Sequence, residues 1–342
     1  ESKDLYYPVD FASAGSSQIG GNIGTNAGGI KVIRYGMTRQ WIMGLTVVTG
    51  KGDILQLNRG MVKNATGYDL RQLFIGSEGT LGLVTHTQIK LERQPQDLNV
   101  MVLGMDSFND VMNVLAAFQA QIDLTAFEFF DDVAIDKLMA HGQVQEPFES
   151  RTKFYTLLEF EAPYEPIMDK AMAIFEHCME QGWVVDGVMS QNLTQAAELW
   201  KLREYISETI SVFTPYKNDV SVLISHVPTF IEEIDHIVSS NYPDFEVCWF
   251  GHIGDGNLHL NILKPENMSK DDFFAECQVV NKYVFETVQK YGGSVSAEHG
   301  VGMTKKPYLH YSRSETEIDY LREVKKVFDP NNIMNRGKIF DM

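Results

Sequence analysis

The stretch GHIGDGNLHLNI, residues 251–262, contains two histidines on either side of a turn-forming sequence. We predict two antiparallel strands joined by residues 254–257, because glycine, aspartate and asparagine tolerate the positive φ angles of tight turns. This register places His252 directly opposite His259, and Asn261 points to the same face because side chains alternate along a strand. Two imidazoles at that separation could share a divalent cation such as zinc.

A second segment, SVSAEHGVG at residues 294–302, places an acidic residue beside another histidine. Glu298 is the natural third ligand, since two histidines and a glutamate leave one position of a catalytic zinc open for a substrate oxygen. We expect a strand entering a loop here, so the adjacent His299 would point to a different partner. The alternative is a set of ordinary core polar groups, but two facing histidines with an acidic residue between glycines favour a metal site.

Arg203 and Ser207 belong to a candidate anion site. A helix is predicted to begin after the N-cap residue Asn192 and to continue to about Phe213. Arg203 and Ser207 are four residues apart and would therefore share a face of this helix. With Lys217, which follows the helix, they could hold a carboxylate, and the guanidinium could bind both of its oxygens. The alternative is a solvated surface charge, which is the usual role of a single arginine.

The composition excludes some functions. The 342-residue chain has a formal net charge of −17, whereas nucleic acid binding requires a basic surface, so we expect no nucleic acid partner. No apolar run approaches the roughly 20 residues of a membrane span. Three scattered cysteines without CxxC spacing indicate reduced core thiols with no catalytic role and a cytosol-like compartment; they are Cys178, Cys248 and Cys277.

The pattern of the chain changes near Pro95. Before it lie a glycine-rich stretch at residues 15–29, suited to close backbone approach or strained turns, and a predicted β-hairpin at residues 41–58. A second glycine-rich turn then leads into a strand at residues 83–91. After Pro95, strands alternate with helices in two rounds, which predicts an α+β domain built on an antiparallel sheet.

Five motifs carry a family resemblance. GGNIGTNAGG, RYG, NATGYDLRQLFIGSEGTLG, FGHIGDGNLHLNI and SAEHGVG occur in this order and resemble the FAD-linked oxidoreductases of the vanillyl-alcohol oxidase type, in their D-2-hydroxyacid dehydrogenase branch. The resemblance runs from about residue 8 to residue 340. It implies an α+β fold. Residues 1–94 would form the second half of a VAO/PCMH-type FAD-binding domain, and residues 95–326 would form a cap domain with a large antiparallel sheet and the metal site. Residues 327–342 would return to the flavin.

The resemblance also implies site residues. In the family, the matching segments wrap the flavin, and the flavin-binding residues implied here are Gly20, Gly21, Asn22, Gly24, Thr25, Asn26, Gly28, Gly29, Gly76, Ser77, Glu78, Gly79, Gly82 and Asn335. The family's zinc ligands match His252, His259 and Glu298. Residues lining the substrate match Asn261 and His299, and the clamp on the substrate's far carboxylate matches Arg203, Ser207 and Lys217.

The implied activity is the oxidation of a D-2-hydroxyacid, of which D-2-hydroxyglutarate, giving 2-oxoglutarate, is the substrate we expect. Hydride would pass to FAD, zinc would bind the hydroxyl group, with manganese or cobalt as alternatives, and His299 would act as general base. Electrons would leave to a protein or quinone acceptor, and a homodimer is one possible assembly. We expect no NAD, because neither glycine motif lies in a Rossmann βαβ unit.

Two alternatives stay open. D-lactate or glycolate could be the substrate at the same flavin and zinc sites. The family's flavin domain also begins with a βα unit that binds the FAD pyrophosphate, and this unit does not occur in the sequence, so the chain could be a non-catalytic zinc-binding fragment. The expected location is the cytoplasm, in contact with a membrane only through the electron acceptor, or the mitochondrial matrix in a eukaryote.

Overall fold

The computed structural model describes residues 3–11 and 15–342. The chain divides into two compact units, of which the first comprises residues 1–94 and 294–342 and the second comprises residues 95–293. Residues 294–326, which were expected to belong to the substrate domain, pack within the first unit. The functional assignment of the domains stays a prediction.

The described residues of the first unit form two small antiparallel sheets. Their strands are β1 (Leu5–Tyr6), β2 (Ile42–Thr49), β3 (Ile54–Leu57), β4 (Gly82–Ile89) and β5 (Glu92–Arg93). β2 lies between β3 and β4, and β1 pairs with β5 in a separate ladder. The predicted hairpin is confirmed, since the backbone N–H of Thr49 donates to the carbonyl of Asp53, 3.0 Å away, across the GKGD turn.

Three short helices precede or interrupt these strands, namely α1 (Ile19–Thr25), α2 (Val32–Tyr35) and α3 (Arg71–Phe74). Of the two interpretations of the glycine-rich stretch, close backbone approach or strained turns, strained turns do not describe residues 19–25, which form α1. Three of its seven residues are glycines, each of which costs a helix roughly 1 kcal/mol relative to alanine. Tertiary packing offsets this cost, because Ile23 is fully buried in a core cluster with Val47 of β2 and Phe74 of α3.

The second unit is built on a seven-stranded sheet in which every pair of neighbours is antiparallel. The strands are β6 (Leu98–Met105), β7 (Leu124–Asp131), β8 (Phe154–Glu161), β9 (Asp186–Met189), β10 (Tyr216–Ser221), β11 (Glu246–His252) and β12 (Asn257–Leu263). Their order across the sheet is β10, β12, β11, β7, β8, β6, β9. The predicted α+β fold on a large antiparallel sheet is confirmed.

The helices of the second unit are α4 (Phe108–Gln119), α5 (Asp132–His141), α6 (Glu165–Glu180), α7 (Leu193–Glu204), α8 (Ile206–Thr209), α9 (Val227–Asn241) and α10 (Lys270–Lys290). The predicted cap of α7 is confirmed, since the Asn192 side chain accepts a hydrogen bond from the backbone of Gln195. The continuous helix predicted to reach Phe213 is wrong, because α7 ends at Glu204 and is followed by α8 and a 3₁₀ turn at Ile210–Phe213.

The two faces of the large sheet differ in character. On one face, Phe129 of β7 packs edge-on against Phe108 of α4, with ring centroids 5.2 Å apart. On the other face, the alternation of β7 and β8 places the buried carboxylates Glu128 and Glu159, which contact α7. This second face carries most of the polar residues singled out in the sequence. The chain then returns to the first unit, where α11 (Glu315–Phe328) packs Phe328 into the core.

Candidate active site

His252 and His259 lie on the same face of adjacent strands, but in a different register from the predicted one. His252 of β11 pairs with Asn257 of β12, and His259 pairs with Phe250, so the two histidines are diagonal neighbours. The four-residue connection begins one residue earlier than predicted, because a 3₁₀ turn at Ile253–Asp255 is closed by Gly256 at φ +80° and His252 pairs with Asn257. A two-residue offset preserves the face, and the imidazole rings meet edge-on with centroids 5.2 Å apart.

The contacts of Asn257 explain why β12 begins at this residue and not at Leu258 as predicted. Its side-chain amide donates to Asp219 Oδ1 at 2.8 Å and to the carbonyl of Val220 at 3.0 Å, both on β10. The asparagine that was predicted to form part of the turn is therefore anchored as a buried sheet residue. Turn propensity could not reveal this, because the partners come from a strand some 38 residues earlier in the chain.

Glu128 is a site residue that sequence reasoning missed. Nδ1 of His252 lies 2.9 Å and 2.8 Å from the two carboxylate oxygens of Glu128, which is 1% exposed. A carboxylate on one imidazole nitrogen fixes the ring and leaves Nε2 for a metal, an arrangement common around zinc-binding histidines. The signal in the sequence was a glutamate inside the otherwise apolar strand TAFEFF.

His259 has a similar environment. Asp219 is its cross-strand neighbour on β10, and Nδ1 of His259 lies 3.7 Å from Asp219 Oδ1, somewhat beyond hydrogen-bonding distance. Both imidazoles thus have a carboxylate on the Nδ1 side. Two such nitrogen ligands on one sheet face fit a zinc ion, which favours imidazole together with a carboxylate.

The residues predicted to form a carboxylate clamp do not all lie on the single helix that was expected for Arg203 and Ser207. Arg203 is in α7 and Ser207 is in α8, separated by the end of α7. Lys217 of β10 pairs with Asn261 of β12, and its ammonium group donates to Ser207 Oγ at 3.4 Å. Arg203 is buried, with Nε 2.8 Å from Glu128 Oε2. Ser207 and Lys217 therefore meet directly, whereas the polar partner of Arg203 is Glu128.

Asn261 is held beside the histidines. It is 1% exposed, and its amide nitrogen donates to the carbonyls of His259 at 3.2 Å and Cys248 at 3.4 Å. These bonds fix the orientation of its side chain on the same face as His259, as predicted from the period of the strand.

In the first unit, three separated segments implied to bind the flavin converge around Glu78. The backbone N–H of Glu78 donates to Gly24 O at 2.7 Å, and that of Gly76 donates to Ile23 O at 2.9 Å. The Asn335 side chain donates to the carbonyl of Glu78. The turn itself uses the left-handed region, with φ of +85° at Gly76 and +51° at Glu78, so a glycine is required at the first of these positions.

The glycines of the first segment serve two purposes. A Cβ at Gly29 would clash with the backbone of residue 10, so this glycine is required for packing. A Cβ at Gly20 or Gly21 would meet nothing within 4 Å, so the backbone there is open to close approach by a ligand. This open backbone on α1 fits a bound flavin. Asn26, which ends α1 with φ of +53°, is fixed because its Oδ1 accepts from the backbone N–H of Arg39 at 2.9 Å.

Glu298 and His299 lie in an irregular loop, so the predicted strand is wrong. The turn that follows is fixed by Glu78, whose carboxylate accepts hydrogen bonds from the backbone of Val301 at 2.7 Å and of Gly302 at 2.8 Å. Gly300 has φ of +75°, a conformation that a strand cannot contain. In this loop the His299 side chain is exposed and Glu298 is half-buried.

The segment around Asn335 is held by a buried ion pair. Lys325 Nζ on α11 lies 2.7 Å from Asp329 Oδ2 and donates to the carbonyls of Thr80 and Met334. Asp329 also accepts from the backbone of Met334 at 2.8 Å. Burial raises the pKa of Asp329, but the bonds from Lys325 and the backbone outweigh it, so the pKa lies below its ordinary value. The pair ties residues 333–335 to the glycine-rich turn through Thr80.

The three cysteines are buried and unpaired, in agreement with their predicted role as reduced core thiols. Burial raises the pKa of Cys178 to about 11 and, with Glu276 nearby, that of Cys277 to about 12. A thiol that stays protonated at neutral pH is a poor nucleophile. Across the part of the chain that the structure describes, the helices are too short or too polar to cross a membrane.

The comparisons with known proteins agree with the motif analysis. The family described as "FAD linked oxidases, C-terminal domain" matches residues 94–339, and "FAD binding domain" matches residues 1–58. A D-2-hydroxyglutarate dehydrogenase of Stutzerimonas stutzeri is 68% identical over 340 residues, which cover 99% of this chain and 73% of the relative. Another from Xanthomonas citri pv. viticola is 54% identical over 337 residues, which cover 98% of this chain and 71% of the relative. The crystal structure of p-cresol methylhydroxylase with substrate bound aligns with 99% of this chain and 72% of that chain, with a TM-score of 0.71. The sequence identity is 12%, so this similarity shows the fold alone.

Proposed function

Because the chain belongs to the FAD-linked oxidases, in their D-2-hydroxyacid dehydrogenase branch, we propose that it oxidises D-2-hydroxyglutarate to 2-oxoglutarate at a zinc centre beside the flavin. FAD-dependent oxidation of a D-2-hydroxyacid is the activity of this branch, and the particular acid, the metal and the residue roles are our proposal. The observation that carries it is the polar row on one face of the large sheet. There, His252 on β11 lies next to the β10–β12 strand pair, which holds His259, Lys217 and Asn261.

We assign His252, His259 and Glu298 as the zinc ligands, with manganese or cobalt as alternatives. A bound zinc ion would polarise the 2-hydroxyl and the adjacent carboxylate of the substrate and lower the pKa of the hydroxyl group. The two imidazoles support this assignment because the Nδ1 atom of each faces a carboxylate, Glu128 or Asp219, an arrangement common for histidines that bind zinc. The assignment of Glu298 depends on its place in the SAEHGVG motif.

His299 is proposed to accept the hydroxyl proton. Imidazole exchanges protons readily near neutral pH, and the His299 side chain is exposed in a loop whose next turn is fixed by Glu78. In the reaction the C2–H bond of the substrate breaks, its electron pair leaves as hydride to the flavin, and the C2–O bond becomes a carbonyl. A bound FAD would supply the hydride acceptor, and a protein or quinone would take up its electrons. We propose a cytoplasmic location.

Arg203, Ser207 and Lys217 are proposed to bind the distal carboxylate, with Asn261 beside the reacting end. Lys217 and Ser207 are in contact, and a lysine with a hydroxyl beside it offers hydrogen-bond donors to one carboxylate. Among the described residues, Glu128 forms an ion pair with Arg203, and its Oε2 lies 2.8 Å from Nε of the guanidinium. The terminal nitrogens are therefore suited to bind a substrate oxyanion.

Substrate comparison tests this proposal. We expect Arg203→Ala to lower kcat/KM for D-2-hydroxyglutarate by at least about tenfold more than for D-lactate, since only the former has a distal carboxylate. Because Arg203 is buried and its loss could impair folding, Lys217→Ala, at an exposed position, provides an independent variant with the same expected selectivity. Arg322→Ala, at a half-buried position of α11, is the control. Equal losses on both acids would contradict the clamp, and a wild-type preference for D-lactate or glycolate would favour those acids as substrate.

A further inference from the structure

The carboxylate of Glu128 lies between a proposed metal ligand and a proposed substrate clamp. Its oxygens are 2.9 and 2.8 Å from Nδ1 of His252, and Oε2 is also 2.8 Å from Nε of Arg203. All three residues are buried, with 1% of Glu128, 7% of His252 and 6% of Arg203 exposed. A buried carboxylate requires partners of this kind, so the three side chains constrain one another.

We propose that Glu128 is a positioning residue that orients His252 toward the metal and Arg203 toward the distal carboxylate, and so couples the two ends of the substrate site. This inference rests on the proposed function. With Nδ1 held by the carboxylate, the imidazole presents Nε2 to the metal. With Nε 2.8 Å from the same carboxylate in a buried ion pair, the guanidinium keeps its terminal nitrogens for a bidentate contact with the substrate.

A second contact fixes the plane of the Arg203 guanidinium. Its central carbon lies 4.8 Å from the centroid of the Phe250 ring, and Phe250 is on β11 two residues before His252. The arginine is thus held from one side by an aromatic face and from its Nε edge by Glu128. Without Glu128, the guanidinium of Arg203 would still lie over the Phe250 ring, but its orientation within that plane would no longer be fixed.

The same sheet face supplies a matched control. Glu159 of β8 is 3% exposed and accepts hydrogen bonds from Trp200 Nε1 at 2.9 Å and Thr125 Oγ1 at 2.5 Å. Trp200 precedes Arg203 by three residues on α7, so both carboxylates anchor the same helix to the same sheet. Glu159→Gln therefore reproduces the loss of a buried carboxylate that holds α7, at a residue that accepts hydrogen bonds from Trp200 and Thr125.

The experiment compares the wild type with Glu128→Gln, Glu128→Asp and Glu159→Gln in the full chain. Zinc affinity is measured by competition with a chromophoric chelator, KM is measured for D-2-hydroxyglutarate and D-lactate, and thermal unfolding monitors the fold. We expect Glu128→Gln to weaken zinc binding by about 10–100-fold and to raise KM for D-2-hydroxyglutarate about tenfold more than KM for D-lactate. Glu128→Asp keeps the charge but moves it, so it should show both effects more weakly. Glu159→Gln should show neither.

The outcomes separate this inference from the proposed function. If the wild type binds zinc and prefers the dicarboxylate while Glu128→Gln and Glu128→Asp leave both properties unchanged, the positioning role is overturned and the proposed function stands. A change in only one of the two properties overturns the coupling. If the wild type binds no zinc and does not prefer D-2-hydroxyglutarate, the proposed function fails, and the role of Glu128 fails with it.

Discussion

Glu78 accepts a hydrogen bond from the backbone N–H of Val301, at 2.7 Å, although 223 residues separate them in the chain. The same carboxylate binds Gly302, and the backbone of Glu78 is bonded to Gly24 and to the side chain of Asn335. One residue of the glycine-rich turn therefore connects three segments that the resemblance assigns to the flavin. It also fixes the turn that directly follows the proposed base, His299.

The carboxylate of Glu78 should be needed for both stability and catalysis. In Glu78→Gln, the amide group replaces one acceptor oxygen with a donor, so one backbone N–H loses its partner, and we expect a loss of about 1–3 kcal/mol in the free energy of unfolding. We also expect kcat to fall while KM changes little, because the loop of His299 loses its anchor. Urea unfolding and steady-state kinetics measure the two effects. Glu323→Gln, at an exposed position of α11, is the control, and a Glu78 variant equal to this control would contradict the role.

Removal of the metal should abolish turnover without unfolding the chain. Dialysis against a chelator is expected to lower the rate on D-2-hydroxyglutarate by about 100-fold or more, and added zinc should restore it. In His259→Ala, which removes one proposed ligand, zinc should restore little activity. His86→Ala is the matched control, since His86 is an exposed histidine on β4. A chelated wild type with full activity would show that the reaction needs no metal.

The Lys325–Asp329 pair should make the stability of the first unit depend on pH. The pKa of Asp329 is held below its ordinary value, so its stabilisation is fully present above about pH 4 and is lost as the pH falls through the lowered pKa. We expect Asp329→Asn to lose about 3 kcal/mol at pH 7, because Lys325 would remain buried without its anion, and to differ less from the wild type near pH 2.

Urea unfolding at several pH values measures this dependence. Asp319→Asn removes the exposed partner of Arg322 on the same helix and should change stability by less than about 1 kcal/mol at any pH. If the Asp329 variant lost the same stability at pH 7 and at pH 2, the ionised pair would not be the origin of the effect.

Local signals predicted much of the fold. Asn192 could be identified as a cap, and the hairpin at residues 41–58 follows from alternating apolar residues around a glycine turn, since both depend on neighbours in sequence. The shared face of His252 and His259 was also predictable from the period of two. Their register was not, because it depends on the bonds of Asn257 to β10.

Two other features lay beyond sequence reasoning for the same physical reason. α7 ends at Glu204 without a glycine or proline there, so no local signal separates Arg203 from Ser207. Glu128 was recognisable only as an unusual charge in an apolar strand, and its partners, Arg203 and His252, come from positions 75 and 124 residues later. Long-range packing determines both, and composition does not encode it.

The measurement that tests the account most directly is the visible absorption spectrum of the purified chain under anaerobic conditions as D-2-hydroxyglutarate is added. We predict flavin bands that bleach as the substrate is oxidised, with one 2-oxoglutarate formed for each flavin reduced. D-lactate at the same concentration should bleach them more slowly, since it lacks the distal carboxylate. Flavin bands that persist with D-2-hydroxyglutarate, while an added chemical reductant bleaches them, would contradict the account.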